Sequence, residues 1–187
     1  MNHIQHYLKE LKATLDTLDL EAVQRARAWV GQTCQEGRQL FLCGNGGSAA
    51  TASHLANDLG KGASYGKPAA QRFRVIALTD NVPWMTALAN DVGYESIFAE
   101  QLRNLGQAGD LLIAISGSGN SPNVLKAVEV ARERGMKTIG WCGFGGGKLA
   151  GLVDLPVVVD SHHMGRVEDV HAIMMHLICY YFMEQAS

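Results

Sequence analysis

Apolar residues at the start of the chain fall three and four apart. Ile4, Leu8, Leu11, Leu15, Leu18, Leu20, Val23, Ala26 and Val30 recur at helical spacing from Asn2 to about Glu36, which predicts two amphipathic helices broken near Asp19. Gly37 closes the second helix, and the period then changes. "RQLFLCG", "RFRVIALT", "GDLLIAIS", "MKTIGWCG" and "LPVVVD" are short apolar runs. Each predicts a strand, and their near-continuous hydrophobicity predicts a parallel sheet covered on both faces.

Helical patterns separate the strands. "GGSAATASHLANDLGKG" carries the small residues of a closely packed helix ending at Gly60 to Gly62, and "DNVPWMTALANDVGYESIFAEQLRNLG" alternates polar loop and helix. "SPNVLKAVEVARERG" is a helix with Pro122 in its first turn, "GGKLAGLV" a short one, and "RVEDVHAIMMHLICYYFMEQ" the last. Strands alternating with helices give a doubly wound, five-stranded parallel α/β sheet of flavodoxin-like type with an N-terminal helical extension. Its apolar first and last helices have more hydrophobic surface than one layer needs, so residues 1–36 are expected to serve oligomerisation and 37–187 to form the α/β sandwich of one domain.

Composition narrows the function. The 187 residues suit a single domain, and 47% hydrophobic with 18% charged residues is ordinary for a packed fold. Sixteen basic and 18 acidic residues leave a net charge of -2, with no electrostatic footprint for nucleic acid or membrane. The N-terminus lacks the apolar core of a signal peptide and no run approaches ~20 apolar residues, so the cytoplasm is the expected location. Cys34, Cys43, Cys142 and Cys179 form no CxxC pair and read as small buried residues.

The chemistry gathers in two loops. "CGNGGSAA" follows the first strand and "ISGSGNSPN" the third, so both fall at the carboxyl edge of the sheet, where ligands bind in open parallel α/β folds. Both lead into helix N-termini, whose free N–H groups and positive dipole suit a phosphate without any arginine or lysine. Ser116, Ser118 and Ser121 would cradle it, with Gly117 and Gly119 allowing close approach. Serine and asparagine are also ordinary helix caps, and for either loop alone that reading competes evenly. Neither loop matches a dinucleotide fingerprint or a Walker A motif, so a small phosphorylated molecule is favoured over a nucleotide.

Taken together, "CGNGGSAATASHLANDL", "TALANDVGYESIFAEQL", "GDLLIAISGSGNSPNVLKAVEVARERGM", "GFGGGKLAG" and "EDVHAIMMH" resemble sugar isomerase (SIS) domain proteins, and among them the phosphoheptose isomerases. The resemblance implies conversion of sedoheptulose 7-phosphate to D-glycero-D-manno-heptose 7-phosphate by homotetramers whose active sites are shared between subunits. It implies that Asn45, Gly46 and Gly47 contact the sugar, that Asn90 and Asp91 line the site, and that Ser116, Gly117, Ser118 and Ser121 hold the phosphate.

Moving a carbonyl between C2 and C1 takes a base for the α-proton and an acid for oxygen, through an enediol. His54 and Asp58 are four residues apart, about 40° around a helix, and Glu168 and His176 eight apart, about 80°, so each pair can face one side. In the family the resemblance places His, Glu, Gln and His at these four positions, which bind zinc in some members, with the Glu as base and the last His as acid. Here the set is His54, Asp58, Glu168 and His176. Aspartate shortens the base by a methylene, and glutamate adds a charge beside the expected metal, giving two histidines and two carboxylates suited to a divalent ion. The alternatives are a non-catalytic SIS protein that binds a sugar phosphate or a protein partner, as the replication-initiator-associating type does, and an isomerase of another sugar phosphate. His171 and Asp169 read as supporting residues, Asp169 as one that orients a histidine. His162 and His163 read as exposed loop residues, and Lys61 and Arg166 as surface charges.

Overall fold

The computed structural model describes residues 2–184. β1 (Gln39–Gly44), β2 (Arg74–Ala77), β3 (Leu111–Ile115), β4 (Lys137–Cys142) and β5 (Leu155–Val158) form one parallel sheet in the order β2-β1-β3-β4-β5. β1 pairs with β2 from Gln39↔Arg74 to Leu42↔Ala77 and with β3 from Leu40↔Leu111 to Gly44↔Ile115. The chain leaves β1 toward one side of the sheet and returns to β3 on the other. Their carboxyl ends therefore open a crevice at the topological switch point, and the two glycine loops flank it.

Period-two alternation sorts the strand side chains into two cores. Leu40, Leu42, Ile113, Ile115, Ile139 and Trp141 share one with Ala26 and Val30 of α2 (Leu20–Gln35), Leu55 of α3 (Gly47–Asn57) and Val170 and Met174 of α8 (Met164–Glu184). Phe41, Cys43, Leu112 and Ala114 face the other, with Leu102 of α5 (Ala99–Leu105), Val124 and Val128 of α6 (Pro122–Glu133) and Leu149 of α7 (Gly147–Leu152). Each fully buried aliphatic side chain contributes about 1.5–3 kcal/mol. β3, buried at every position, anchors both layers.

Caps explain the helix boundaries. Asn2 and Gln5 form a reciprocal capping box on α1 (His3–Asp16), and Asp19 accepts from the Ala22 N–H at 3.0 Å to start α2. α1 lies against α8, yet Ile4 and Leu8 remain 68% and 50% exposed. α4 (Val82–Asp91) begins with the Asn81 side chain accepting from the Trp84 N–H.

One helix departs from its expected course. α3 does not run regularly to Gly60; it changes at Asp58 into a π-helical turn, Asp58–Gly62, with the Ala63 N–H donating to the Asp58 carbonyl at 2.8 Å. Such wide turns re-aim side chains and recur at functional sites. α3 also runs beside α8 in the same direction: Gly47 meets Glu168, and two turns on His54 meets His176. A Cβ on Gly47 would stand 2.5 Å from Glu168 Oε1, so any larger residue there would have to displace the Glu168 carboxylate.

Candidate active site

Two helices begin at the switch point, and neither is capped by a side chain. α3 starts from Gly46, whose φ of 53° suits glycine, and α6 starts from Ser121, whose hydroxyl makes no capping bond. Ser121 Oγ instead lies 3.0 Å from Ser116 Oγ. Serine as a plain helix cap is therefore not what these loops contain: among the described residues the Gly47 N–H of α3 and the Asn123 N–H of α6 have no acceptor, whereas the Ser48 N–H donates to the Asn45 carbonyl and the Val124 N–H to the Ser121 carbonyl and Asn123 Oδ1. An anion at such an end gains about 0.3–1 kcal/mol per helix dipole, and more when partly buried.

The second loop is rigidly held. The Gly119 N–H donates to the Ser116 carbonyl at 2.9 Å, the Gly143 N–H to Gly117 and the Leu149 N–H to Gly119, each at 2.9 Å. Asn120 fastens the same turn, donating to the Ser118 carbonyl and accepting from the Lys148 N–H. Gly119 has φ +66°, and a Cβ there would strike the Gly146 carbonyl. Only glycine fits. Ser116 is buried while Ser118 and Ser121 are half-buried, so three hydroxyls line one turn at graded depth.

The second cluster sits farther along α3. His54 Nε2 is 3.4 Å from Asp58 Oδ2, and the His54 and His176 rings meet edge to face with centroids 5.2 Å apart. Ligand atoms of His54, Asp58 and His176 all lie within 4.8 Å of one another. Asp58 Oδ1 also accepts from the Asn57 amide at 3.0 Å. Two imidazoles and a carboxylate converging this way fit zinc or a similar divalent cation, with coordination positions left open.

Glu168 does not join them within the chain. Eight residues of α8, about 12 Å of rise, separate it from His176, and its carboxylate lies at Gly47 beside the first glycine loop. The 80° offset was compatible with one side of the helix, and both residues do face α3, but at opposite ends. Asp169 does not orient a histidine: Tyr7 Oη donates to its Oδ2 at 2.6 Å. Arg166 lies 3.7 Å from Glu10 and near the Tyr7 ring, so α1 holds it rather than leaving it a free surface charge. His171 is buried beside Trp141, not on the site face. His162 and His163 are exposed, and so is Lys61.

Asn90 and Asp91 end α4, exposed, with the Asn90 amide donating to Asp91 at 2.7 Å. Asn45, Gly46 and Gly47 link β1 to α3. Two residues inside the quoted motifs received no role from the sequence. Asn123 exchanges hydrogen bonds with Asn45, and Tyr94 Oη donates to Asn45 Oδ1 at 3.1 Å. The available signal was an asparagine directly after the Pro122 that opens α6. Burial pushes the Cys43 and Cys142 thiols up to about 12 and 11, so neither supplies a thiolate nucleophile.

Known proteins share this fold. The SIS domain model matches residues 5–143. The chain belongs to the SIS domain family, and within it to the phosphoheptose isomerases. The phosphoheptose isomerase of Roseiflexus sp. is 39% identical over 181 residues, covering 92% of this chain and 89% of that one. That of Nitratidesulfovibrio vulgaris (strain Hildenborough) is 44% identical over 147 residues, 79% of this chain and 69% of its own. The solved phosphoheptose isomerase of Francisella tularensis superposes with a TM-score of 0.89 at 30% identity, covering 97% and 96% of the two chains. That of Neisseria gonorrhoeae gives 0.85 at 33% identity, covering 96% and 94%. The five-stranded parallel sheet is the SIS fold of these structures. In this SIS domain α3 carries one uncapped helix end at its start and His54 near its end, with Asp58 in the π turn that follows and His176 brought up from α8.

Proposed function

We propose that the protein is a cytoplasmic ketose–aldose isomerase converting sedoheptulose 7-phosphate to D-glycero-D-manno-heptose 7-phosphate. The observation that carries this reading is the pair of uncapped helix N-termini at the switch point, with Ser116, Ser118 and Ser121 around one of them. Membership of the phosphoheptose isomerases supports the substrate.

Ser116, Ser118, Ser121 and the Asn123 N–H at the start of α6 bind the phosphate, and Gly117 and Gly119 admit it. Asn45, Gly46, Gly47, Asn90 and Asp91 line the sugar. Asp58 takes the proton from C1 of the open-chain ketose, and His176 protonates the C2 oxygen, giving the enediol. Asp58 then returns a proton to C2 while His176 removes the one on the C1 oxygen, and the C1 carbonyl of the aldose forms. Proton count is conserved, and both groups end as they began. His54, Asp58 and His176 would hold a zinc ion, which when bound polarises oxygen and favours loss of the α-proton. Assembly as a homotetramer with sites at subunit interfaces belongs to the same reading. It would bring a fourth ligand to the cluster, which Glu168 of the same chain stands too far along α8 to supply. Leu177 and Tyr180, 50% and 51% exposed beside His176, are the apolar surface such assembly would cover.

The test is turnover of sedoheptulose 7-phosphate by metal-stripped protein, with and without added zinc, following the heptose by NMR. Zinc-dependent conversion is the expected outcome. No conversion in either state, with the sugar phosphate still bound by calorimetry, would replace the isomerase with a sugar-phosphate-binding SIS protein.

A further inference from the structure

Asn45 leaves the end of β1 and reaches across the switch point to the first turn of α6. There it meets Asn123, which is 2% exposed. The two amides bond reciprocally: Asn45 Nδ2 donates to Asn123 Oδ1 at 2.8 Å, and Asn123 Nδ2 donates to Asn45 Oδ1 at 2.8 Å. Which end of each amide is oxygen follows from a third group. The Val124 N–H donates to the same Asn123 atom at 3.0 Å. A backbone N–H can only donate, so that atom is oxygen, the Asn45 atom facing it is nitrogen, and the remaining pair is fixed in turn.

Tyr94 completes the set. Its hydroxyl donates to Asn45 Oδ1 at 3.1 Å, so both lone pairs of that oxygen are engaged. One Nδ2 hydrogen of Asn45 goes to Asn123, and the other has no partner among the described residues. Asn45 is half-buried at the lip of the crevice. It can therefore offer an incoming molecule a single polar contact, an N–H, and no acceptor.

We infer that Asn123 and Tyr94 are positioning residues that fix Asn45 as a one-way hydrogen-bond donor to an acceptor oxygen of the open-chain sugar. The inference rests on the sugar-phosphate isomerase reading of the site. A free asparagine presents either end of its amide and loses freedom on binding; a locked one is preorganised and selects oxygens that accept, a carbonyl or the enediol oxygen carrying developing charge. Asn123 does not touch the sugar. It acts through Asn45.

A double-mutant cycle separates this role from mere packing of the loop. Wild type, Asn45→Ala, Asn123→Ala and the double variant are compared for kcat and KM with sedoheptulose 7-phosphate, alongside thermal unfolding. Asn123→Ala should lower kcat/KM about tenfold, and the double variant should be no worse than Asn45→Ala alone, since nothing then remains to be positioned. Effects that multiply would overturn the inference. Tyr94 is exposed, so Tyr94→Phe keeps the fold and removes only the hydroxyl; it should cost about threefold in kcat/KM, and that loss should vanish in the Asn45→Ala background. If Asn123→Ala does not fold, this second cycle decides, and a wild-type rate for Tyr94→Phe counts against the inference. Should wild type bind sedoheptulose 7-phosphate without turning it over, the isomerase reading fails, and the same cycles in calorimetric Kd test the positioning alone. If it neither binds nor converts that sugar, both fall.

Discussion

Acid should unfold this protein in part through one buried histidine. His171 is 1% exposed, its ring 6.1 Å from that of Trp141, and neither ring nitrogen makes a hydrogen bond of good geometry among the described residues, the Cys142 backbone offering only a weak one. Burial pushes its pKa down from 6.5 to about 4, with the nearby Cys142 backbone opposing the shift. The folded chain keeps the ring neutral while the unfolded chain takes up a proton below about pH 6.5, so falling pH favours unfolding. The contribution is complete above about 6.5 and is lost progressively down to about 4. At 1.36 kcal/mol per pKa unit the full loss is roughly 3 kcal/mol, and about 2 kcal/mol of it has gone by pH 5.

His171→Met fills a similar space and does not titrate. Urea unfolding of both proteins from pH 7.5 to 4.5, at one protomer concentration, measures the difference, in which groups common to both proteins cancel. At pH 7.5 the two should agree within about 1 kcal/mol, because removing two buried, poorly hydrogen-bonded nitrogens offsets imperfect packing. By pH 5 the variant should be the more stable, its lead having grown by about 2 kcal/mol. A difference that stays flat with pH would show that the folded site accepts the proton and that burial does not hold the ring neutral.

Three other outcomes follow from the site. His176→Gln should abolish turnover and spare sugar-phosphate binding, seen by NMR product assay and calorimetry; an intact rate would remove His176 as the acid. Ser118→Ala combined with Ser121→Ala should weaken binding of the sugar phosphate by about 10- to 100-fold, from the loss of two hydrogen bonds to a charged group, with little change in the melting temperature. Gly119→Ala should destabilise by about 2–4 kcal/mol in urea melts, since it combines φ +66° with a collision against the Gly146 carbonyl.

Much of the fold was legible in the sequence because local periodicity carries it. Five apolar runs became five strands in the expected chain order, and helical spacing from Asn2 with a break near Asp19 placed the first two helices. The glycine and serine loops could be assigned to the sheet's carboxyl edge, since in a parallel sheet every strand ends there. What sequence spacing could not supply was the meeting of distant residues. His54 and Asp58 are neighbours by helix geometry, but His176 reaches them only because α8 packs along α3 through Gly47 and Gly62. The same packing carries Glu168 to the opposite end of α3. Whether Ser121 caps a helix or turns to Ser116 depends on a rotamer and a neighbouring loop, and the polarity of Asn45 on a single N–H of Val124. Periodicity is a property of one segment, whereas a site is a property of several, and their approach is set by side-chain volume and hydrogen bonding across the chain.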